Sequence, residues 1–241
     1  MKLKIFSPVV NSPDFLELQC ILFQENLLCD YELYAIDDSR DDSLSKQFMD
    51  VIERYESNAT YIRNMNPNVS GPSAAHANTI KYALDNFVYV SCLDDIVFLV
   101  DSDCFLMEKF DPIEYMKDKT ISSYMQSRGD VEYLWPGFTL LNMPMIRESK
   151  SRIGFFPGSF GGQLCDTGGQ SYNFLQENNI TPESIDCVFE GEYKGQNLIN
   201  METFMEGKFL HFRGGTIWDG KVNVFNQKVE ILNNILNHGK E

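Results

Sequence analysis

Apolar and polar positions fall into two regimes along the chain. In the first, runs of strand length alternate with stretches of helical spacing. Leu3–Val10 is apolar and β-branched, the pattern of a buried strand, and Pro8 and Pro13 bracket a turn. Phe15, Leu18, Ile21, Leu22 and Leu28 then recur at helical spacing. Tyr31–Ile36 alternates as a strand and stops at Asp37-Asp38-Ser39, and the acidic stretch Asp37–Asp42 reads as a loop. Phe48–Tyr55 predicts a helix and Thr60–Arg63 a short strand. Asn64–Ser73, with Pro67, Gly71 and Pro72, reads as loop. Ser73–Asn86 predicts a helix with Ser73 as its cap, and Ile96–Val100 is the most strand-like run in the chain. The order β-α-β-α-β-α-β predicts a parallel sheet with helices on both faces.

The second regime is irregular. Glycine is dense between Gly154 and Gly169 and again at Gly214, Gly215 and Gly220. Phe138–Met143 and Phe209–Phe212 predict short strands, and Val222–Asn237 a terminal amphipathic helix. No internal repeat or low-complexity linker interrupts the 241 residues, which suits one domain with a regular half, 1–107, and a loop-rich half, 108–241. Loops carried on a rigid scaffold are where binding specificity resides.

Composition narrows the function classes. With 43% hydrophobic and 13% aromatic residues, the chain can bury a large core, which excludes disorder as its main state. The longest apolar run, Ile96–Val100, falls far short of the roughly 20 residues a membrane helix needs. Met1-Lys2-Leu3-Lys4 leads straight into a strand-like run and predicts no secretory leader, hence a soluble, cytoplasmic protein without membrane insertion. Acidic residues outnumber basic ones 35 to 20, a formal charge of −15. That surface repels nucleic acid, whereas a small phosphorylated ligand would need a cation or a local basic group. Six scattered cysteines without a C-x-x-C pair suit reduced thiols better than zinc or disulfides.

Candidate chemistry starts at Asp101-Ser102-Asp103, directly after the strand-like run. In extended backbone, positions i and i+2 point to the same side, so the two carboxylates would repel unless protonated or bridged by a cation. Oxygen ligands favour Mg²⁺ or Mn²⁺. In open α/β sheets, ligands bind at the C-terminal strand ends. A solvated acidic turn is the alternative for the same tripeptide.

Asp37-Asp38-Ser39 repeats the strand-then-carboxylate design, and Asn66–Asn78 is a glycine turn leading into a helix of small residues. Together with the D-x-D, this ordered set resembles the nucleotide-binding half of GT-A glycosyltransferases, most closely the inverting family-2-like enzymes, over roughly residues 3–107. The resemblance implies an α/β fold of GT-A type: a Rossmann-like, mostly parallel sheet flanked by helices, with a loop-rich acceptor-side second half. It also implies site residues. Asp38 would hold the nucleobase or ribose, with Asp37 equally suited to capping the loop. Gly71 and the helix start Ser73–Asn78, including Asn78, would lie against the nucleotide. Asp101 would contact ribose or metal-bound water, and Asp103 would ligate Mn²⁺ or Mg²⁺. His76 is either a packed helix histidine or a ligand.

Two constellations in the second half extend the list. Leu210-His211-Phe-Arg213-Gly214-Gly215-Thr-Ile-Trp218-Asp-Gly220-Lys221 follows an apolar strand. Neutral imidazole suits Mn²⁺, and glycines beside Arg213 and Lys221 suit a diphosphate. The stretch resembles the late histidine loop of GT-A enzymes, in which His211 would complete the metal site; a satisfied histidine beside a surface hairpin is the alternative. Asp166, in the glycine-rich stretch Gly158–Gln170, is either a helix N-cap or, by resemblance to the acceptor-side Asp of inverting enzymes, the general base. Trp135 and Trp218 are candidate sugar-stacking faces or core residues. The expected function is a metal-dependent transfer of a sugar from a nucleotide-diphospho-sugar to a glycan or other hydroxyl acceptor, with inversion. The alternatives are a sugar nucleotidyltransferase and a non-catalytic nucleotide- or carbohydrate-binding module. Against the former, Ser7–Pro13 has neither the glycine nor the basic residue of a phosphate loop.

Overall fold

The computed structural model describes residues 1–39, 41–55, 58–64, 71–189, 191–193, 196–197, 201–213, 230 and 232–234. The alternating first half folds as its pattern predicts. Strands β1 (Leu3–Val9), β2 (Tyr31–Asp37), β3 (Ala59–Arg63) and β4 (Ile96–Val100) pair in parallel in the order 3-2-1-4. Helices α1 (Pro13–Asn26), α2 (Asp42–Glu53) and α3 (Pro72–Ala83) connect them. Every side chain of β4 is buried, as expected of a central strand covered on both faces. Phe15, Leu16, Leu22 and Phe23 of α1 pack one side, and Ile80 and Ala83 of α3 the other.

Three boundaries differ from the sequence expectation. Helix α2 starts at Asp42, six residues before the expected Phe48, because Asp41 caps it by accepting from Ser43 N. Helix α3 is capped by Gly71, with Pro72 in its first turn, so Ser73 lies inside it. Gly71 has φ +90°, a conformation glycine adopts at little cost, and Pro72 pre-sets the helical φ of the next position. The strand expected at Phe138–Met143 starts much earlier, as β7 (Val131–Asn142), which carries Trp135, Pro136 and Gly137.

Beyond β4 the direction reverses. After β5 (Cys104–Leu106), strand β6 (Ile121–Arg128) pairs antiparallel with β7, and β7 pairs antiparallel with β4, Val100 opposite Phe138. The short strand Glu183–Ser184 closes this edge parallel to β6, giving a seven-stranded, mostly parallel sheet. A second, antiparallel sheet combines Cys187–Phe189, Met201–Phe204, Phe209–Phe212 and β5. The expected strand Phe209–Phe212 is therefore present, and it pairs with the segment that follows the D-x-D. Of the terminal helix expected over Val222–Asn237, Glu230 and residues 232–234 are helical, with Leu232 buried; the rest lies outside the described residues.

No described helix is long and apolar enough to cross a membrane. All six cysteines are unpaired.

Candidate active site

The parallel strands deliver their C-terminal ends to one edge, where Val9, Asp38 and Asp101 line a cleft of about 350 Å³. Helix α3 contributes Pro72, Ser73, His76 and Thr79 to its wall, β7 contributes Trp135, and the segment before helix Ser171–Asn178 contributes Asp166 and Thr167. Thr167 Oγ1 donates to Ser73 O at 3.0 Å and so ties that segment to α3. Four carboxylates, Asp38, Asp101, Asp103 and Asp166, face the cleft, and His76 is the one side chain among its described lining residues that can carry positive charge.

The Asp101–Asp103 turn is clamped from three directions. Gln19, wholly buried in α1, donates Nε2 to both Asp101 O and Cys104 O at 3.0 Å. Asp101 N donates to Gly137 O, and Phe212 N to Asp103 O, each at 3.0 Å. Gly137 must be glycine for a local reason: a Cβ there would lie 2.6 Å from Asp101 Oδ2 and 2.3 Å from Trp135 Cζ2. The absent side chain leaves room for the carboxylate and the indole to pass each other.

His211 reaches this turn by strand register. It sits opposite Cys104 on one side and Glu202 on the other. Its Nε2 is 3.3 Å from Asp103 Oδ1 and its Nδ1 is 2.6 Å from Glu202 Oε1. Asp103, His211 and Glu202 are all buried. Ligand atoms of Asp101, Asp103 and His211 lie within 4.8 Å of one another, a spacing one ion can bridge. Without an ion, burial lowers the His211 value, but Asp103 and then Glu202 outweigh this and push it up to about 10. Asp101 is shifted by the same balance: burial raises its carboxyl, and His76 and then His211 bring it below the usual range. His76 Nε2 approaches Asp101 Oδ1 at 2.9 Å. Burial lowers the His76 value too, and Asp101, Asp103 and Asp38 bring it above normal.

The remaining sequence candidates separate. Asp38 lines the cleft and accepts from Asn64 Nδ2 at 3.3 Å. Asp37 turns away from it: Ser39 N, Ser45 Oγ, Tyr61 OH and Arg63 Nη1 all donate to its carboxylate at 2.7 Å. Of the two roles open to Asp37, it fills the loop-capping one. Asp166 is not the helix cap, because Gln170 occupies that position; its Oδ1 accepts from Thr167 N at 2.8 Å. Gly71 starts α3 beside the cleft, and Asn78 lies on α3 without being among the cleft's lining residues. Arg213 lines a neighbouring cleft with His211, Glu202 and Trp135. Trp135 lines both clefts, its ring centroid 5.0 Å from that of His211. Lys221, Trp218, the glycines at 214, 215 and 220, and Asn66–Ser70 lie outside the described residues.

Two residues of the site were not anticipated. Glu202 orients His211, and its only sequence signal is a lone carboxylate within the apolar strand Met201–Phe204. Gln19 fixes the turn backbone, and its signal is an amide on the apolar face of α1.

No protein-family model and no curated protein matches the chain. Solved structures do. The mannosyltransferase PcManGT from Pyrobaculum calidifontis, solved with GDP-Man and Mn²⁺, is 13% identical over 64% of this chain and 47% of its own, at a TM-score of 0.43. Residues 1–349 of S. aureus TarS are 17% identical over 74% of this chain and 55% of theirs, at 0.43. The galactosyltransferase LgtC is 12% identical over 60% of this chain and 59% of its own, at 0.39. The chain thus spans about half the length of the solved chains it matches.

Proposed function

We propose that the chain is a metal-dependent glycosyltransferase that moves a sugar from a nucleotide-diphospho-sugar to an acceptor hydroxyl with inversion. The observation that carries this is the convergence of Asp101, Asp103 and His211 at the edge of a cleft that Asp38 and Asp166 also line. A diphosphate entering four carboxylates is repelled unless a cation compensates. The donor set fits Mn²⁺ or Mg²⁺: two carboxylates and one imidazole, the latter oriented through its second nitrogen by Glu202, as metal-bound histidines generally are. Asp103 and His211 would hold the ion directly, and Asp101 would hold it or the ribose. Such an ion neutralises charge on the leaving diphosphate.

The other residues supply the rest of the site. Asp38, at the end of β2, is placed to accept from the base or ribose, and Arg213 to pair with the diphosphate. Asp166 takes the acceptor proton on a carboxylate oxygen while the acceptor oxygen bonds to the anomeric carbon. The bond from that carbon to the diphosphate breaks, and the nucleoside diphosphate departs. The nucleotidyltransferase alternative gains nothing from the cleft, whose wall at the end of β1 is Pro8-Val9-Val10, without a basic side chain.

The test has two parts. Thermal stability should rise with Mn²⁺ plus a nucleoside diphosphate, and more than with a nucleoside triphosphate; a larger response to the triphosphate favours the nucleotidyltransferase. Asp166→Asn should keep donor affinity and lose about 10²- to 10⁴-fold in transfer. Near-normal turnover in that variant removes Asp166 as base, and a product with the donor's anomeric configuration removes inversion.

A further inference from the structure

The second cleft, about 390 Å³, shares Trp135 with the first and includes His211, whose Nε2 is 3.3 Å from Asp103 Oδ1, so whatever occupies it lies beside the reacting centre. Its chemistry is the reverse of its neighbour's. The first cleft is lined by four carboxylates, whereas this one carries two guanidiniums, those of Arg128 and Arg213, against Glu202 as the one acidic side chain among its described lining residues. In a chain of net charge −15, paired arginines beside one cleft form a local exception to the repulsion of anions.

The two arginines are held differently. Arg213, with 56% of its side chain exposed, lies over the Phe189 ring at 5.2 Å and 3.9 Å from Glu202 Oε2, which fixes its plane. Arg128 ends β6, donates Nη1 to Ser127 O at 3.0 Å, and forms no salt bridge with a carboxylate among the described residues. Tyr124, Trp135 and Phe189 line the same cleft, with Tyr124 and Trp135 edge to face at 5.9 Å. Phe189 is 46% exposed although it is large and apolar. Aromatic faces pack against the C–H faces of sugar rings, and guanidinium forks match carboxylates and phosphates in two-point pairing.

We infer that this cleft is the acceptor site and that the acceptor is an anionic saccharide, its ring lying along Trp135 and its carboxylate or phosphate paired by Arg128. This rests on the glycosyl-transfer reading and extends it to the second substrate. The reactive hydroxyl lies at the Trp135 end, which opens into the cleft that Asp166 lines. The anionic group lies toward Arg128, away from the metal-site carboxylates. Arg213 stands nearer the junction, beside His211, where it also serves the donor diphosphate.

The experiment compares glucose, glucuronic acid and glucose 6-phosphate as probes, titrated by NMR into the full chain and into Arg128→Gln. Arg128 is exposed and outside the catalytic machinery, so the variant should fold with unchanged melting temperature and unchanged nucleoside-diphosphate binding. At least one anionic probe should bind about tenfold more tightly than glucose, weaken with added salt, and lose that advantage in the variant. Preference for the phosphate or for the carboxylate probe identifies the acceptor's charged group. Equal binding of glucose and both anionic probes overturns the inference, as does an anionic preference that survives Arg128→Gln. Displacement of the probe by uridine or guanosine diphosphate with Mn²⁺ overturns it too, by giving the cleft to the donor. A chain that binds the anionic probe but no nucleoside diphosphate with Mn²⁺ defeats the glycosyl-transfer reading instead and leaves a plain anion site.

Discussion

At the end of β2, the Asp37 carboxylate is wholly buried and receives hydrogen bonds from a backbone amide, two hydroxyls and a guanidinium. At the end of β4, Asp101 and Asp103 face imidazoles instead, with His76 at 2.9 Å from one and His211 at 3.3 Å from the other. Both strands end in an acidic cluster, so the two sites look alike in sequence. One is closed by neutral and cationic donors from α2 and β3 and has no remaining use for a cation. The other keeps two carboxylates and an imidazole within ligand reach of one another at the mouth of a cleft. Acidic residues at a strand end become a site only where the surrounding elements leave the charge incompletely matched.

Alanine substitutions should separate the two. Asp103→Ala is expected to lower Mn²⁺-supported nucleotide affinity by roughly a hundredfold or more, measured by calorimetry, with a native-like circular dichroism spectrum. Asp37→Ala is expected to cost about 3 kcal/mol in urea unfolding, because it strands Arg63 and two hydroxyls around a lost partner, with metal affinity unchanged below its melting point. If Asp37→Ala lost metal affinity and Asp103→Ala lost only stability, the assignment of the two sites would be reversed.

A smaller effect should follow from Glu202. Glu202→Ala leaves His211 free to turn, so Mn²⁺ affinity should fall about 10- to 100-fold. Glu202→Gln retains an oxygen to accept from Nδ1 and should recover much of it. Equal affinity in the wild type and both variants would make Glu202 a buried carboxylate with no bearing on the ion.

A further contrast appears through pH. The His211 imidazole, ordinarily near 6.5, is pushed up to about 10 in the metal-free fold. A group whose folded value exceeds its unfolded one adds stability in full below the unfolded value and loses it as pH rises through the folded one. Metal-free protein should therefore lose stability, relative to His211→Gln, between about pH 6.5 and about pH 10. A stability difference that stays constant over that window would mean His211 is not held protonated by its two carboxylates.

Much of the first cleft's lining was legible from the order of residues alone. Strand and helix periods, Gly71 before a helix start, and a carboxylate pair after the most apolar run are local patterns, and parallel β-α units bring strand ends together without further instruction. His211 stood out by scarcity and by following an apolar strand. Which carboxylates would be spent within the fold was not legible, because Asp37 is satisfied by Tyr61 and Arg63, far along the chain. Nor was the placement of Trp135, of Gln19 behind the turn, or of Glu202 behind His211. The reversal of β7 against β4 and the pairing of β5 with Phe209–Phe212 fix those positions. Such pairings depend on register between segments 38 to 46 residues apart in the first case and 103 to 107 in the second, a quantity no local period encodes. Residue order shows where carboxylates and imidazoles are available at strand ends; only the fold selects which of those charges stay unmatched, because matching is a property of neighbours in space.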